Sequence, residues 1–275
     1  MRSRSALLLM IFLAGCARGP ETTAPKDDRF VVLGPSLVEL MFTCGLGDRV
    51  VGIDRYSQWP PQTEDIPKVG GYIDPSIERI ASLSPTSIHI SGGSAVIREF
   101  ADDLGIPCYT YNFDSLGGVF EALDSLDARY GAGAAEFRVG LERTLDSLAL
   151  VLVPVAPLEV MVVVYHETGA SSMTVAGEST FFSDILDRLG CRICSPGTGS
   201  WPMISAEGAV SLDPDHVICL FPGRTDTAEI SGSEDLFWGR LGFGGNRVHC
   251  LFHPCMMIPG GRLGVIAEEI CSCLL

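Results

Sequence analysis

The chain has few basic residues, 19 Lys and Arg against 34 Asp and Glu, which leaves a formal net charge of −15. A phosphate backbone needs a basic protein face, so this balance excludes nucleic acid as an expected partner. The sequence also lacks the HExxH, GxxxxGKS/T and GxSxG patterns of metal hydrolases, P-loop proteins and serine hydrolases. Because its five histidines are scattered, we expect neither a metal centre nor a catalytic site.

Long apolar runs are also scarce, since no segment after the first fourteen residues can span a bilayer. Arg2 and Arg4 precede a short apolar run that is typical of a cleaved signal peptide, here residues 1–15. Leu-Ala-Gly before Cys16 resembles the lipobox of bacterial lipoproteins. That resemblance implies acylation of Cys16 and a protein held by lipid in the cell envelope, on the periplasmic side or the cell surface. Residues 16–28 are polar and contain prolines, which predicts a flexible tether.

The rest of the chain alternates short β-rich runs with segments of helical period, a rhythm that predicts parallel sheets covered by helices. The predicted strands are 30–33, 49–53, 87–91, 107–111, 159–165, 216–221 and 247–252, and the predicted helices are 36–44, 76–83, 95–104, 116–130, 134–152, 179–189 and 262–273. We expect two α/β lobes, at 29–131 and 154–275. The helical segment 132–153 lies between them, and its nineteen residues from 134 to 152 would span about 28 Å, enough for a stiff strut.

An internal repeat supports the two lobes. Segments 78–88 and 207–217 have Glu, Leu, Pro and a β-branched residue at the same offsets, and each predicts a short helix, a proline turn and a strand. Leucine and proline at these offsets are ordinary in an α/β protein. The fold itself requires no glutamate at Glu78 or Glu207.

The ten cysteines are unusual for an exported chain. Without Cys16 nine remain, an odd number in a compartment where disulfides form. Cys191 and Cys194 make a single CxxC, which supplies half of the four ligands of a structural zinc site. We therefore expect a disulfide or buried thiols there rather than a metal. Cys219 and Cys250 lie in apolar runs and are expected to be small core residues.

Short motifs recur through residues 30–273: LGPSLVEL at 33–40, GLGDRVVGI at 45–53, DRYSQWPP at 54–61, PKVGGY at 67–72 and WPMISAE at 201–207. Together they resemble the periplasmic binding proteins that serve ABC importers of cobalamin, ferric siderophores and haem, and most closely the vitamin B12-binding proteins. The resemblance implies the class III fold, in which two Rossmann-like lobes on a rigid interdomain helix enclose the ligand with little hinge motion.

The same resemblance implies a binding protein rather than an enzyme, with no cofactor besides the transported corrinoid or iron complex. It also implies a monomer that delivers this ligand to a permease dimer with ATPase subunits. In that class an exposed glutamate on each lobe docks on permease arginines. Glu78 and Glu207 occupy the matching positions, and two such contacts far apart would fix orientation and speed encounter more than they add affinity.

The ligand site of two facing α/β lobes is formed by the loops that follow the carboxyl ends of strands. Those loops give as candidate ligand residues Tyr56, Trp59, Tyr72, Ser91, His166, Trp201, Arg224, Cys255, Met256 and Met257. The aromatic members offer large rigid area with polar tips, which suits a flat corrin with amide arms. The resemblance separately implies contacts at Tyr56 and at 254–258, although Pro-Cys-Met-Met-Ile is richer in sulfur than we expect for a corrin site.

A corrinoid is therefore the expected ligand, and haem or a ferric siderophore is the alternative. Residues that could serve as axial ligands of a haem iron are Tyr72, His253, Cys255 and Met256, and His166 could approach a cobalt. An anionic siderophore needs several arginines, and the candidates are Arg55, Arg224 and Arg262. An exported metal- or thiol-dependent enzyme is the more distant alternative.

Overall fold

A computed structural model describes residues 28–275 except 72–73, 132, 154, 156 and 167–171. The predicted signal peptide at 1–15, Cys16 and all of the predicted tether except its last residue lie outside the described residues. Within the described part of the chain, no helix is long and apolar enough to cross a membrane.

The first lobe is a parallel sheet of four strands with the order β2-β1-β3-β4. Its elements are β1 (Phe30–Leu33), α1 (Pro35–Thr43), β2 (Val50–Ile53), α2 (Ile77–Ser82), β3 (Ser87–Ser91), α3 (Ala95–Leu104), β4 (Cys108–Tyr111) and α4 (Leu116–Tyr130). Strand β1 is buried on both faces, because apolar residues from α1 and α4 cover one side and residues of α2 and α3 cover the other.

The second lobe follows the helix α5 (Ala134–Leu152). Its elements are β5 (Glu159–Tyr165), β6 (Ser172–Val175), α6 (Phe181–Arg188), β7 (Arg192–Ile193), β8 (Met203–Ser205), α7 (Ala206–Leu212), β9 (His216–Leu220), α8 (Thr227–Arg240), β10 (Val248–Leu251) and α9 (Leu263–Cys273). Strands β10, β9 and β5 are parallel, and β6 and β8 extend this sheet in antiparallel fashion. Strand β7 pairs with β5.

Helix α5 lies between the two sheets and shares one apolar core with both. Leu141, Leu145 and Leu152 are its buried leucines, and Leu145 belongs to a contiguous cluster with Phe30 of β1 and Val160 of β5. Helix α9 packs along α5, and the thiol of Cys271 lies 4.0 Å from the carbonyl oxygen of Leu148. The lobe boundaries proposed at 131/132 and 153/154 flank this helix.

Helix ends follow the chemistry of their flanking residues. Ser94 and Ser115 cap the starts of α3 and α4 by accepting hydrogen bonds from backbone N–H groups, and Gly105 and Gly131 end the same helices in the left-handed conformation. Every predicted strand and helix is present, with ends displaced by at most two residues. Helix α8 and the short strands β6, β7 and β8 were not predicted from the sequence.

Candidate functional site

A large cavity lies between the two lobes and has a volume of about 840 Å³. The first lobe contributes the loops after β1, β3 and β4, represented by Gly34, Gly92 and Phe113. The second lobe contributes Trp201 from the loop before β8 and Met257 from the loop after β10. The carboxyl ends of the first lobe's strands therefore face the second lobe across an open cleft.

The first-lobe wall depends on a close approach of two loops. Gly34 has φ 118°, and a Cβ atom there would lie 2.4 Å from Cβ of Ser91, so only glycine fits. The fully buried carboxylate of Asp54 accepts hydrogen bonds from the Gly34 N–H at 2.9 Å, the Tyr56 N–H at 2.8 Å and the Ser57 hydroxyl at 2.6 Å. Asp54 thus ties the loop after β1 to the loop after β2.

A buried ion pair joins the lobes on one side of the cleft. Glu39 of α1 accepts from the guanidinium of Arg262, which precedes α9, with the Nε–Oε1 distance 3.1 Å. Burial raises the pKa of Glu39, and the hydrogen bonds and charge of Arg262 act in the opposite direction. The guanidinium also lies 4.8 Å from the ring centre of Trp59, a cation–π contact. A Cβ on Gly260 would lie 2.6 Å from the Ser36 carbonyl oxygen, so the second-lobe backbone rests directly on α1.

A second contact joins the lobes through α4. Oδ2 of Asp184, in the first turn of α6, accepts from the Leu116 N–H at the start of α4 at 2.7 Å. Arg188 of α6 pairs with Asp146 of α5 at 2.8 Å. The Arg188–Asp146 pair ties the second lobe to α5, whereas the Asp184–Leu116 hydrogen bond and the Glu39–Arg262 pair join the two lobes directly. The lobes are therefore held together by more than α5.

The two repeated glutamates lie on matching helices. Glu78 and Glu207 are exposed in the first turns of α2 and α7, and Ser76 and Ser205 cap those helices. Hydrogen bonds from its own backbone N–H and from the Ser205 side chain lower the pKa of Glu207. Each glutamate is therefore a carboxylate at a helix N-terminus, one on each lobe.

A protein-family model described as "Periplasmic binding protein" matches residues 30–234 of this chain. The chain belongs to the periplasmic binding protein family. The vitamin B12-binding protein of Vibrio campbellii (strain ATCC BAA-1116) is 27% identical over 97% of this chain and 94% of its own length. The uncharacterized ABC transporter substrate-binding lipoprotein YvrC of Bacillus subtilis (strain 168) is 24% identical over 74% of this chain and 67% of its own.

Solved structures of other members of the periplasmic binding protein family share the fold. The vitamin B12-binding protein BtuF of Vibrio cholerae aligns with TM-score 0.72 at 20% identity, over 90% of this chain and 96% of that one. The heme-binding protein HutB of Vibrio cholerae aligns with TM-score 0.74 at 21% identity, over 90% and 98%. The predicted class III fold is confirmed, and family membership confirms a substrate-binding protein of an ABC transporter rather than an enzyme.

Five of the ten predicted ligand residues line one of two interlobe cavities. Ser91, Trp201 and Met257 line the large one. Tyr56 and Trp59 line a smaller cavity of about 280 Å³ over the Glu39–Arg262 pair, and Pro35 contributes to both cavities. Tyr72 lies outside the described residues.

Four other predicted ligand residues do not line either interlobe cavity. The side chain of His166 is buried, and its Nε2 lies 2.7 Å from Oε2 of Glu234. Arg224 is exposed and pairs with Asp226 two residues along the chain. Cys255 and Met256 are buried in the core, because residues 253–256 turn back on themselves before α9.

Several residues of the cavity lining were not among the predicted ligand residues. Phe113 and Asp114 follow β4, and the rule used for the other strands would have found them. Phe181 at the start of α6 and Glu121 on α4 carry no such signal, because neither follows a strand of the predicted sheets. They reach the cavity through the packing of helices across the lobes.

All nine cysteines of the described part of the chain are free thiols. Cys191 and Cys194 are both buried, and burial raises the pKa of Cys194 to about 11. Cys219 and Cys250 are register partners on β9 and β10, and Cys219 is fully buried. Within the described residues no three His, Cys, Asp or Glu side chains are grouped so that they could hold a metal ion. At these positions cysteine is a small apolar residue with an unreactive thiol.

Proposed function

We propose that the protein captures a corrinoid in the interlobe cavity and delivers it to an ABC permease dimer with its ATPase subunits. Support comes from its similarity, over 97% of the chain, to a protein named for vitamin B12 binding. A cavity of about 840 Å³ lies within the range of about 300–1,000 Å³ common for ligand sites.

The observation that carries the corrinoid choice is the charge of the wall. No Lys, Arg or His belongs to the described lining of the large cavity. Haem has two propionates, and ferric siderophores are usually anionic. Binding in this cavity would remove water from their negative charges, and no cation of the lining would take its place. The arginines suggested for this role are engaged elsewhere, Arg55 with Asp74, Arg224 with Asp226 and Arg262 with Glu39.

The uncharged part of the wall suits the neutral amide arms of a corrin. Trp201, Phe113, Phe181 and Met257 supply apolar area, while Asn112 and the loop at 91–93 supply hydrogen-bonding groups. The candidate haem ligands Cys255 and Met256 are fully buried outside the lining, which further favours a corrinoid over haem.

Delivery would use the two exposed glutamates. Glu78 on the first lobe and Glu207 on the second would dock on basic groups of the two permease subunits, one contact for each lobe. We further propose that Cys16, which lies outside the described residues, carries the lipid that keeps this monomer at the membrane.

Titration of the purified protein with cyanocobalamin, haemin and an anionic ferric catecholate tests the ligand. We expect cyanocobalamin alone to bind with Kd below about 10 μM, roughly −7 kcal/mol. Trp201 lines the cavity, so tryptophan fluorescence should fall on binding, and a Trp201→Phe variant should lose most of that response. Trp238, fully buried in the second lobe, should not report the ligand. Tighter binding of haemin would favour the haem alternative, and binding of none of the three would refute the assignment.

A further inference from the structure

Both charged residues in the described lining of the large cavity are acids. Asp114 follows β4 and Glu121 lies on the second turn of α4, and both are exposed. Among the described residues, neither carboxylate has an ion-pair partner within 4.0 Å. The wall therefore presents negative charge that the protein does not neutralise.

One arginine contacts a residue of the cavity lining but is not itself part of that lining. Arg98 of α3 donates from its guanidinium to Oγ1 of Thr110 at 3.0 Å, and Thr110 lines the cavity. The positions between 28 and 275 that the structure leaves undescribed include no Lys, Arg or His. A hidden basic residue in those segments thus cannot balance Asp114 and Glu121.

Resting on the proposed function, we propose that this cavity prefers corrinoids that lack the phosphodiester of the nucleotide loop. The phosphate cancels one positive charge of the cobalt corrin, so cyanocobalamin is neutral whereas aquocyanocobinamide carries one positive charge. Asp114 and Glu121 attract the positively charged ring of both ligands but repel the phosphate that only cyanocobalamin carries, so the net attraction is stronger for aquocyanocobinamide. The two carboxylates are specificity determinants, and the apolar wall binds the ring that both ligands share.

Calorimetric titration of the full chain with each of the two corrinoids tests this preference. At an ionic strength of about 10 mM we expect aquocyanocobinamide to bind about five- to tenfold more tightly than cyanocobalamin. At about 150 mM the ratio should shrink, because exposed charges are screened over a shorter distance.

Variants separate charge from ligand size. Asp114→Asn combined with Glu121→Gln should remove most of the preference, and Arg98→Gln should increase it. The matched control, Asp235→Asn with Glu268→Gln, changes two exposed acids outside the cavity lining and should leave the ratio unchanged. A ratio that survives the first double variant overturns the assignment of specificity to these carboxylates.

The ligand results also separate the two proposals. Cyanocobalamin that binds as tightly as aquocyanocobinamide, or more tightly, overturns the preference and leaves the proposed corrinoid function standing. Failure of both corrinoids to bind overturns the proposed function together with the preference.

Discussion

Ser84 and Asp213 hold the same position in the two lobes, each before the proline that separates a short helix from a strand. Both have left-handed backbone conformations, with φ 46° and 44°. In each lobe an arginine from the start of the neighbouring strand donates a hydrogen bond to a backbone carbonyl of this turn. Arg29, before β1, donates to the Ser84 carbonyl at 3.2 Å, and Arg247, before β10, donates to the Asp215 carbonyl at 3.1 Å. The two repeated segments therefore share a strained left-handed residue before the proline and an arginine that hydrogen-bonds to the turn.

Relief of that strain at Ser84 should stabilise the protein. Non-glycine residues in the left-handed region cost about 1 kcal/mol or more, so Ser84→Gly should raise the free energy of unfolding by about 1 kcal/mol in urea denaturation. The Arg29 contact uses the backbone carbonyl and is kept. Ser82→Gly, in the last turn of α2, is the matched control and should lower stability. No gain from Ser84→Gly would mean that the turn is unstrained.

The Glu39–Arg262 pair should be a main determinant of how the lobes are held. Glu39→Gln leaves the mostly buried guanidinium of Arg262 without its charge partner, so we expect a loss of about 3–5 kcal/mol in unfolding free energy. The exposed pair of Arg224 and Asp226 offers a comparison, and Arg224→Gln should change stability far less. Equal effects from the two variants would contradict a special role for the buried pair.

His89 should make the protein sensitive to acid. It is fully buried, with Nδ1 3.1 Å from the Tyr111 hydroxyl and Nε2 3.1 Å from the Tyr130 hydroxyl, and burial, aided by the charge of Arg129, lowers its pKa from 6.5 to about 3. The unfolded chain binds a proton below pH 6.5 whereas the folded protein does not. Stability is thus fully present above pH 6.5 and falls as the pH drops towards 3.

Urea denaturation at several pH values measures this dependence. Protonation of His89 in the unfolded chain can lower the unfolding free energy by as much as about 5 kcal/mol, since one pKa unit corresponds to about 1.36 kcal/mol. His89→Gln keeps a hydrogen-bonding side chain without a titrating group, so its stability should vary less between pH 6.5 and 4. His216 and His249, whose pKa values are also lowered by burial, leave a residual slope. An unchanged slope in the variant would exclude His89 as the source.

Docking and ligand binding should be separable at the repeated glutamates. Glu78→Lys and Glu207→Lys put a positive charge where we propose contact with basic permease groups. The double variant should therefore slow corrinoid uptake by cells at least tenfold. Both residues lie outside the cavity lining, so corrinoid Kd should stay the same. Glu268→Lys, an exposed charge reversal on α9, is the control. Normal uptake by the double variant would contradict the docking role.

Sequence reasoning worked best where a single pattern decides the local structure. The bounds of α3, α4 and α5 were predicted to the residue. Serine and glycine mark the two ends of α3 and α4, and prolines at 154 and 157 follow the end of α5 in the sequence. Helix α8 was missed because Ser231, Gly232 and Ser233 interrupt it and its apolar residues lack a clean period. The antiparallel strands β6 and β8 have four and three residues, too few to show a clear alternation of apolar and polar residues in the sequence.

The cleft was predictable only in part. Ser91 is the last residue of β3, where the strand-end rule expects a ligand residue. Trp201 also lines the cavity, but it precedes β8 and does not follow a strand of the predicted sheets. The same rule selected Cys255 and Met256, but the turn before α9 buries their side chains. Whether a loop residue faces the cleft or the core depends on local turns and on partners distant in sequence, such as Glu39 for Arg262, and those contacts leave no mark in a single sequence.

The most direct test of a corrinoid site between the lobes is a crystal structure of the protein with a bound corrinoid. We expect the corrin ring in the large interlobe cavity, in van der Waals contact with Trp201 and Met257 and with its cobalt far from the buried thiol of Cys255. A corrin bound on an outer face of either lobe, with the interlobe cavity filled only by water, would contradict that site.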